Sequence, residues 1–163
     1  QIEVTLSDNP RNADATKTVT LTDFQIGETT INGTRTVTNM GLNDNEQRQL
    51  TRTEDITITR GDFTIKRRSN ITTTRMAGDN TDTREDDTLE RIGTVEGTNS
   101  RGETYTTTIT SAMVRKGNCR WPVSGVREIT RGDRKITLDY GDGTCDNKVT
   151  ATMGDRSKVF EIR

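Results

Sequence analysis

Apolar and polar residues alternate through most of this chain, and that period of two limits what it can fold into more than any other property. Ile2, Val4 and Leu6 alternate with polar residues, as do Val19 and Leu21, Ile56 and Ile58, Phe63 and Ile65, Ile136 and Leu138, and Val149 and Ala151. Successive side chains of a β-strand point to opposite faces, so the alternation predicts strands with one apolar and one polar face. A convincing helical period is missing. The best helix candidate, Asn43–Arg52 (NDNEQRQLTR), reads equally as a polar strand or a connection. Clusters of Gly, Asn, Asp and Ser interrupt the alternation roughly every 10 to 18 residues. This spacing predicts an all-β fold of about ten antiparallel strands in a thin meander or sandwich, with little or no helix.

Composition explains why the strands are thin. Hydrophobic residues are 27% of the chain and aromatics 4%, against a usual apolar share of about 45–50% when Gly is counted. Roughly a fifth of the residues are Thr, which is β-branched, stiff at χ1 and suited to a pleated surface with one face wet. Net charge is −1 with 30% charged residues, a balance that argues against a dedicated nucleic-acid or anionic-membrane binder, which carries a strong basic bias. Without His, His-based acid–base catalysis and His-ligated metals are excluded. The two cysteines, Cys119 and Cys145, fit one disulfide formed in an oxidising compartment. No signal peptide or transmembrane run is present and Gln1 is not Met, so the chain reads as a mature product whose leader is missing.

The word ITRGDxxI occurs at 58–65 and again at 129–136. Each copy lies where one alternating run ends and another begins. Gly supplies the positive φ of a tight turn, so Arg60-Gly61-Asp62 and Arg131-Gly132-Asp133 read as hairpin tips rather than adhesion signals. The chain is one extended domain, 1–163. The recurrence also leaves open two similar halves, about 15–90 and 91–163.

The C-terminal third contains CRWPVSG at 119–125 and LDYGDGTCDN at 138–147, preceded by GTNSRGETYTTTIT at 97–110. This block resembles uncharacterised secreted proteins and lipoproteins of Bacteroidota that share a CxWPxxG stretch followed by a glycine-rich stretch holding the second Cys. The resemblance implies export, an all-β fold and a cell-surface setting, and no known activity. Within the block, the two cysteines sit at opposite ends of a strand–turn–strand unit, and antiparallel folding brings them together.

Several residues invite a functional reading beside a structural one. Trp121 reads as a core cap over the disulfide or as a stacking platform for sugar, and Tyr140 is a second candidate for an exposed aromatic binding surface. Asp139, Asp142 and Asp146 offer oxygens of the kind Ca²⁺ prefers, or bond their own backbone in a glycine-rich turn. The acidic loop with Asp79, Asp82, Glu85, Asp86 and Asp87 has the same two readings. Thr88, in Asp87-Thr88-Leu89, matches a Bacteroidota O-glycosylation pattern, and Asn32 and Asn70 head N-x-[ST] triplets. Ile2, Val4 and Leu6 form a terminal strand that either pairs in cis or is exchanged with a neighbour, with Ser7–Asp14 as a loose linker. The sequence therefore reads as an exported, non-enzymatic structural or adhesive β protein of the bacterial surface, secreted and self-associating through strand edges. The alternative is a surface binding module with a glycan or a membrane complex as partner.

Overall fold

The alternation is realised as eleven strands in chain order, each hydrogen-bonded to the next. In the computed structural model, which describes residues 1–162, these are β1 (Ile2–Leu6), β2 (Thr16–Ile26), β3 (Thr29–Leu42), β4 (Arg48–Arg60), β5 (Phe63–Ala77), β6 (Thr88–Thr98), β7 (Thr104–Lys116), β8 (Ser124–Arg131), β9 (Arg134–Asp142), β10 (Lys148–Met153) and β11 (Arg156–Glu161). Every pairing is antiparallel, and together they make one open sheet. Of the two architectures the spacing allows, the meander forms and the sandwich does not. The boundary near residue 90 falls inside β6, so the two suggested halves share one sheet.

Turn chemistry sets the hairpins. Gly27, Gly61, Gly132 and Gly154 each take the first place of a two-residue loop, with φ between 54° and 58°. The residue after each has no positive φ. That is the type II′ arrangement, whose twist matches the strands it joins. Both RGD tripeptides are therefore turns, at β4–β5 and β8–β9. The helix candidate at 43–52 is a turn followed by the start of β4. Asn43 donates its N–H to the Gln47 carbonyl, and its Oδ1 accepts from the amides of Asn45 and Gln47. A side chain that satisfies the local backbone competes with helix. Ser7–Asp14 is likewise no loose linker. Thr16 donates to Ser7 Oγ at 2.8 Å, and Asn39 Nδ2 donates to the Pro10 carbonyl at 3.0 Å.

Local register shifts occur in six of the ten pairings, yet rungs can be followed through the middle of the sheet from one edge to the other. One rung reads Leu6, Lys17, Val37, Arg52, Ile71, Gly93, Ile109, Arg127, Leu138, Ala151, Lys158, with one residue from every strand. The neighbouring rung reads Thr5, Thr18, Thr36, Thr53, Asn70, Thr94, Thr108, Glu128, Thr137, Thr152, Ser157. Adjacent positions on a strand face opposite ways, so one face is apolar and Arg-bearing and the other is largely Thr. On the Thr face, hydroxyls meet across strands: Thr18 with Thr36 at 3.3 Å, Thr51 with Thr72 at 3.4 Å, and Thr152 with Ser157 at 2.9 Å. Such cross-strand pairs are the unit of sheet stability and tolerate water on that side.

The core is small. Met113, Tyr140 and Val149 are buried together, with Ile109, Leu138 and Ile162 packed around them. Beside this cluster the disulfide Cys119–Cys145 ties the β7–β8 loop to the β9–β10 loop, its Cα atoms 5.7 Å apart. Closing a loop of 26 residues contributes about 3.5 kcal/mol in the chain-entropy account. Nothing among the described residues forms a second layer. The accessible surface is 11121 Å², about 3,000 Å² above the roughly 8,100 Å² of a compact monomer of this mass.

Two glycines test the sheet against its turns. Gly93 has φ of 134°, and a Cβ there would overlap the Asn70 carbonyl oxygen on the adjoining strand. At Gly61, on an open turn with φ of 54°, nothing lies within 4 Å. Gly61→Ala is expected to cost only the backbone strain of a positive φ, about 1–3 kcal/mol. Gly93→Ala is expected to cost at least about twice that, because backbone must also move. Urea midpoints of the two variants check this ordering.

Candidate functional site

Strand alternation decides which side chains share the concave face. Residues from β4 to β9 line one pocket there, from Arg52 and Arg67 to Tyr140, so the sheet curls around this side. The pocket has a volume of about 210 Å³, with Ile71, Val95, Ile109 and Met113 among its walls. A second pocket, lined by Val37, Arg48, Leu50, Arg75 and Leu89, adjoins it through Arg52, Ile71 and Arg91. Irregularities in β7 and β8 interrupt the register beside these walls, between Ile109 and Val114 and between Ser124 and Val126. Bulges of this kind bend a strand.

Charge is segregated between the faces. Lys17, Arg35, Arg52, Arg67, Arg91, Arg115 and Arg127 fall on the concave face by register. In β3–β8 the one carboxylate on that face is Glu54. The Thr face instead carries Glu3, Asp55, Glu90, Glu96 and Glu128 among its hydroxyls. The net charge of −1 thus conceals a strongly basic face, since most of the balancing carboxylates lie in loops and turns outside the strands.

Glu54 is fully engaged. Its side chain has 0% exposure. Arg35 Nε donates to Oε1 at 2.6 Å, Arg67 donates to Oε2 at 2.6 Å, and the Ser69 hydroxyl donates to Oε2 at 3.0 Å. Burial pushes this carboxyl up, but the Ser69 and Arg35 hydrogen bonds and the two guanidinium charges outweigh it, and its pKa lies below the ordinary value. At the β4–β5 end of the sheet, Asp79 pairs with Arg48 and Arg75 at 3.3 Å each, and Asp87 pairs with Arg75 at 3.6 Å. The acidic loop therefore supplies counter-ions to neighbouring arginines. Arg52, Arg91, Arg115 and Arg127 form no ion pair among the described residues, and the Nε atoms of Arg52 and Arg127 are buried without an acceptor. Burial, then the charges of Arg52 and Arg115, pull the Arg91 pKa down, which registers crowding of like charge.

The residues singled out from sequence meet different fates. Cys119 and Cys145 are joined. Trp121 is half-buried beside them, with the Arg120 guanidinium 5.3 Å from its ring centre, and it lines a pocket with Val123, Cys145 and Ile162. Tyr140 is no exposed stacking platform. It is 6% exposed, packed into the core and covered by Arg127 at 5.5 Å. Asp139, Asp142 and Asp146 do not converge. Each accepts from an amide two residues ahead, at Gly141, Thr144 and Lys148 respectively. The Thr144 hydroxyl and amide hold Asp142 below the usual carboxylate range. Among the described residues no three His, Cys, Asp or Glu side chains gather at metal-binding spacing. Thr88 opens β6, paired between Ala77 and Lys116.

Ile2, Val4 and Leu6 pair in cis with Leu21, Val19 and Lys17, so β1 belongs to its own sheet. All three remain about half exposed (52%, 54% and 53%). What β1 offers a neighbour is its outer edge. No helix among the described residues is long and apolar enough to cross a membrane. No family model, curated protein or solved structure matches this chain.

Glu54 makes stability pH-dependent with a defined sign. A carboxyl whose folded pKa is depressed stabilises the fold above its unfolded pKa of about 4.3, and that contribution is lost as pH falls through the folded value. Glu54→Gln is expected to cost about 2 kcal/mol at pH 7, the half-exposed partner arginines being partly rehydrated. The gap from the unsubstituted chain should begin to narrow as pH falls below the unfolded pKa and close as it falls through the lower folded one. Urea denaturation from pH 7 to pH 3 checks both the gap and its closure.

Proposed function

We propose that this chain is an exported, non-enzymatic structural protein of the bacterial cell surface that associates with copies of itself through the β1 edge. The observation that carries this reading is β1 itself. Its residues are all exposed and its outer side has no partner among the described residues. It carries Ile2, Val4 and Leu6 with no Lys or Pro to blunt pairing. The other edge, β11, is guarded by Arg156 and Lys158. A disulfide suits an oxidising, extracytoplasmic setting. The surface excess over a compact monomer supports association as well, since a thin sheet gains stability from neighbours.

Topology restricts the geometry of such an assembly. With eleven antiparallel strands, β1 and β11 run in the same direction. Simple translation would then set β11 parallel to the next β1. Antiparallel addition that keeps the concave face on one side requires a twofold axis through like edges. Centred on Val4, it places Ile2 opposite Leu6, Val4 opposite Val4, and Glu3 opposite Thr5, with no like charges facing. A longer filament of this kind would alternate β1–β1 and β11–β11 contacts.

A second reading, a surface binding module, draws support from the uncompensated arginines of the concave face rather than from Trp121 or Tyr140.

The edge proposal has a register-specific test. Val4→Cys is expected to oxidise to a covalent dimer, since directly opposed residues lie about 4.5–5.5 Å apart, within disulfide reach. Thr5→Cys, opposed to Glu3, is expected to form no covalent dimer. Val4→Lys should abolish the concentration-dependent dimer seen by analytical ultracentrifugation. A chain that is monomeric at all concentrations, or a Val4→Lys dimer as strong as the unsubstituted one, would reject the edge contact.

A further inference from the structure

Four arginines on the concave face lack the carboxylate partner that their neighbours in β3–β5 have. Arg35 and Arg67 share Glu54, while Arg48 and Arg75 share Asp79. Arg52, Arg91, Arg115 and Arg127 come together around one pocket without a carboxylate among the described residues. The chain has 25 acidic residues, so the lack is one of position and not of supply. Gathering like charge in a half-buried groove opposes folding, and so does burying a donor with no acceptor, as at Arg52 Nε and Arg127 Nε. An anion in the groove removes both costs at once.

The lining also restricts the rest of the ligand. A guanidinium only donates hydrogen bonds and never accepts. Between the arginines the walls are mostly apolar, with Ile71, Val95, Ile109 and Met113. Sugar hydroxyls need acceptors as well as donors, and here the hydroxyls of Thr107 and Tyr140 stand against five lining arginines that only donate. Single-stranded nucleic acid stacks bases on exposed aromatic rings, whereas Tyr140, the aromatic ring of this pocket, is buried under Arg127. What fits is an acceptor-only head beside an apolar body. We propose that the concave groove binds an anionic amphiphile, a phosphate or carboxylate head on an acyl chain, with Arg52, Arg91, Arg115 and Arg127 holding the head and the aliphatic walls holding the chain. This site is separate from the β1 edge and stands whether or not the chain associates.

Isothermal titration calorimetry on the full chain tests it, with every amphiphile kept below its micelle-forming concentration. The probes are dodecyl phosphate, laurate, inorganic phosphate, dodecyl maltoside and a single-stranded oligonucleotide. Saturable binding of dodecyl phosphate or laurate is expected, at least about tenfold tighter than inorganic phosphate, with dodecyl maltoside not competing. Arg52→Gln and Arg127→Gln should each weaken it about tenfold or more, the scale of a hydrogen bond to a charged group. Arg115→Gln, at a more exposed position, should weaken it in the same direction if the buried variants disturb the sheet. Arg68→Gln, on the Thr face, should leave it unchanged. The proposal is overturned if dodecyl maltoside binds as well as the anions, if inorganic phosphate matches them, if the oligonucleotide binds more tightly, or if none of the three groove variants moves the affinity.

Discussion

Neighbour-to-neighbour pairing in a register carried from edge to edge, past local bulges, is what the whole structure depends on. In a sandwich, a second layer reports errors of register by burying or exposing a core. Here no second layer exists among the described residues, and the buried apolar cluster is confined to a few side chains around Met113, Tyr140 and Val149. The sheet must hold itself by backbone ladders and by contacts between side chains on adjoining strands. Because the side-chain period is two, a slip of one residue would move every side chain of a strand to the opposite face. Thr rungs with bonded hydroxyls on one side, and the Arg35–Glu54–Arg67 ion pairs on the other, penalise such a slip. The disulfide adds its constraint at the C-terminal end, where the strands, β1 aside, are shortest.

Register also creates the chemistry. The same alternation that makes strands makes two unlike faces: one wet, Thr-rich and mildly acidic, the other concave, apolar and basic. Carboxylates are withheld from the basic face except at Glu54, and the acidic loop reaches only the arginines at one end. Four guanidiniums are left between aliphatic walls. The proposed amphiphile site and the proposed edge contact use different parts of the molecule. They are compatible, because pairing β1 to β1 about Val4 keeps both concave faces on one side.

Strand identity, hairpin turns, the cysteine pairing and the bland meaning of both RGD words were legible from alternation and turn residues, since those are local properties. Layer number was not. Alternation predicts a buried face and a wet face, and it does not say whether the buried face meets a second sheet or curls on itself. The arginine groove escaped notice for a related reason. Arg52, Arg91, Arg115 and Arg127 are scattered along the chain, and only the register from β4 to β8 sets them together. A net charge near zero concealed a face that is far from neutral. Tracking which parity each Arg shares with the apolar residues of its own strand would have exposed it: Arg52 with Ile56, Arg67 with Ile71, Arg127 with Ile129. Asp139, Asp142 and Asp146 illustrate the opposite error. Proximity in sequence suggested a shared ligand, while each carboxylate serves the backbone just ahead of it.

The central claim is that consecutive strands pair in the one register that sorts Thr and Arg onto opposite faces. Backbone proton–proton contacts in solution, measured by nuclear Overhauser spectroscopy on the isotope-labelled chain, test it most directly. The account predicts contacts that set Ile71 opposite Arg52 on one side and Gly93 on the other, with Asn70 between Thr53 and Thr94. Contacts displaced by one residue, with Ile71 opposite Thr53 or Thr94, would mix the two faces and contradict it. So would pairing between strands that are not consecutive in the chain.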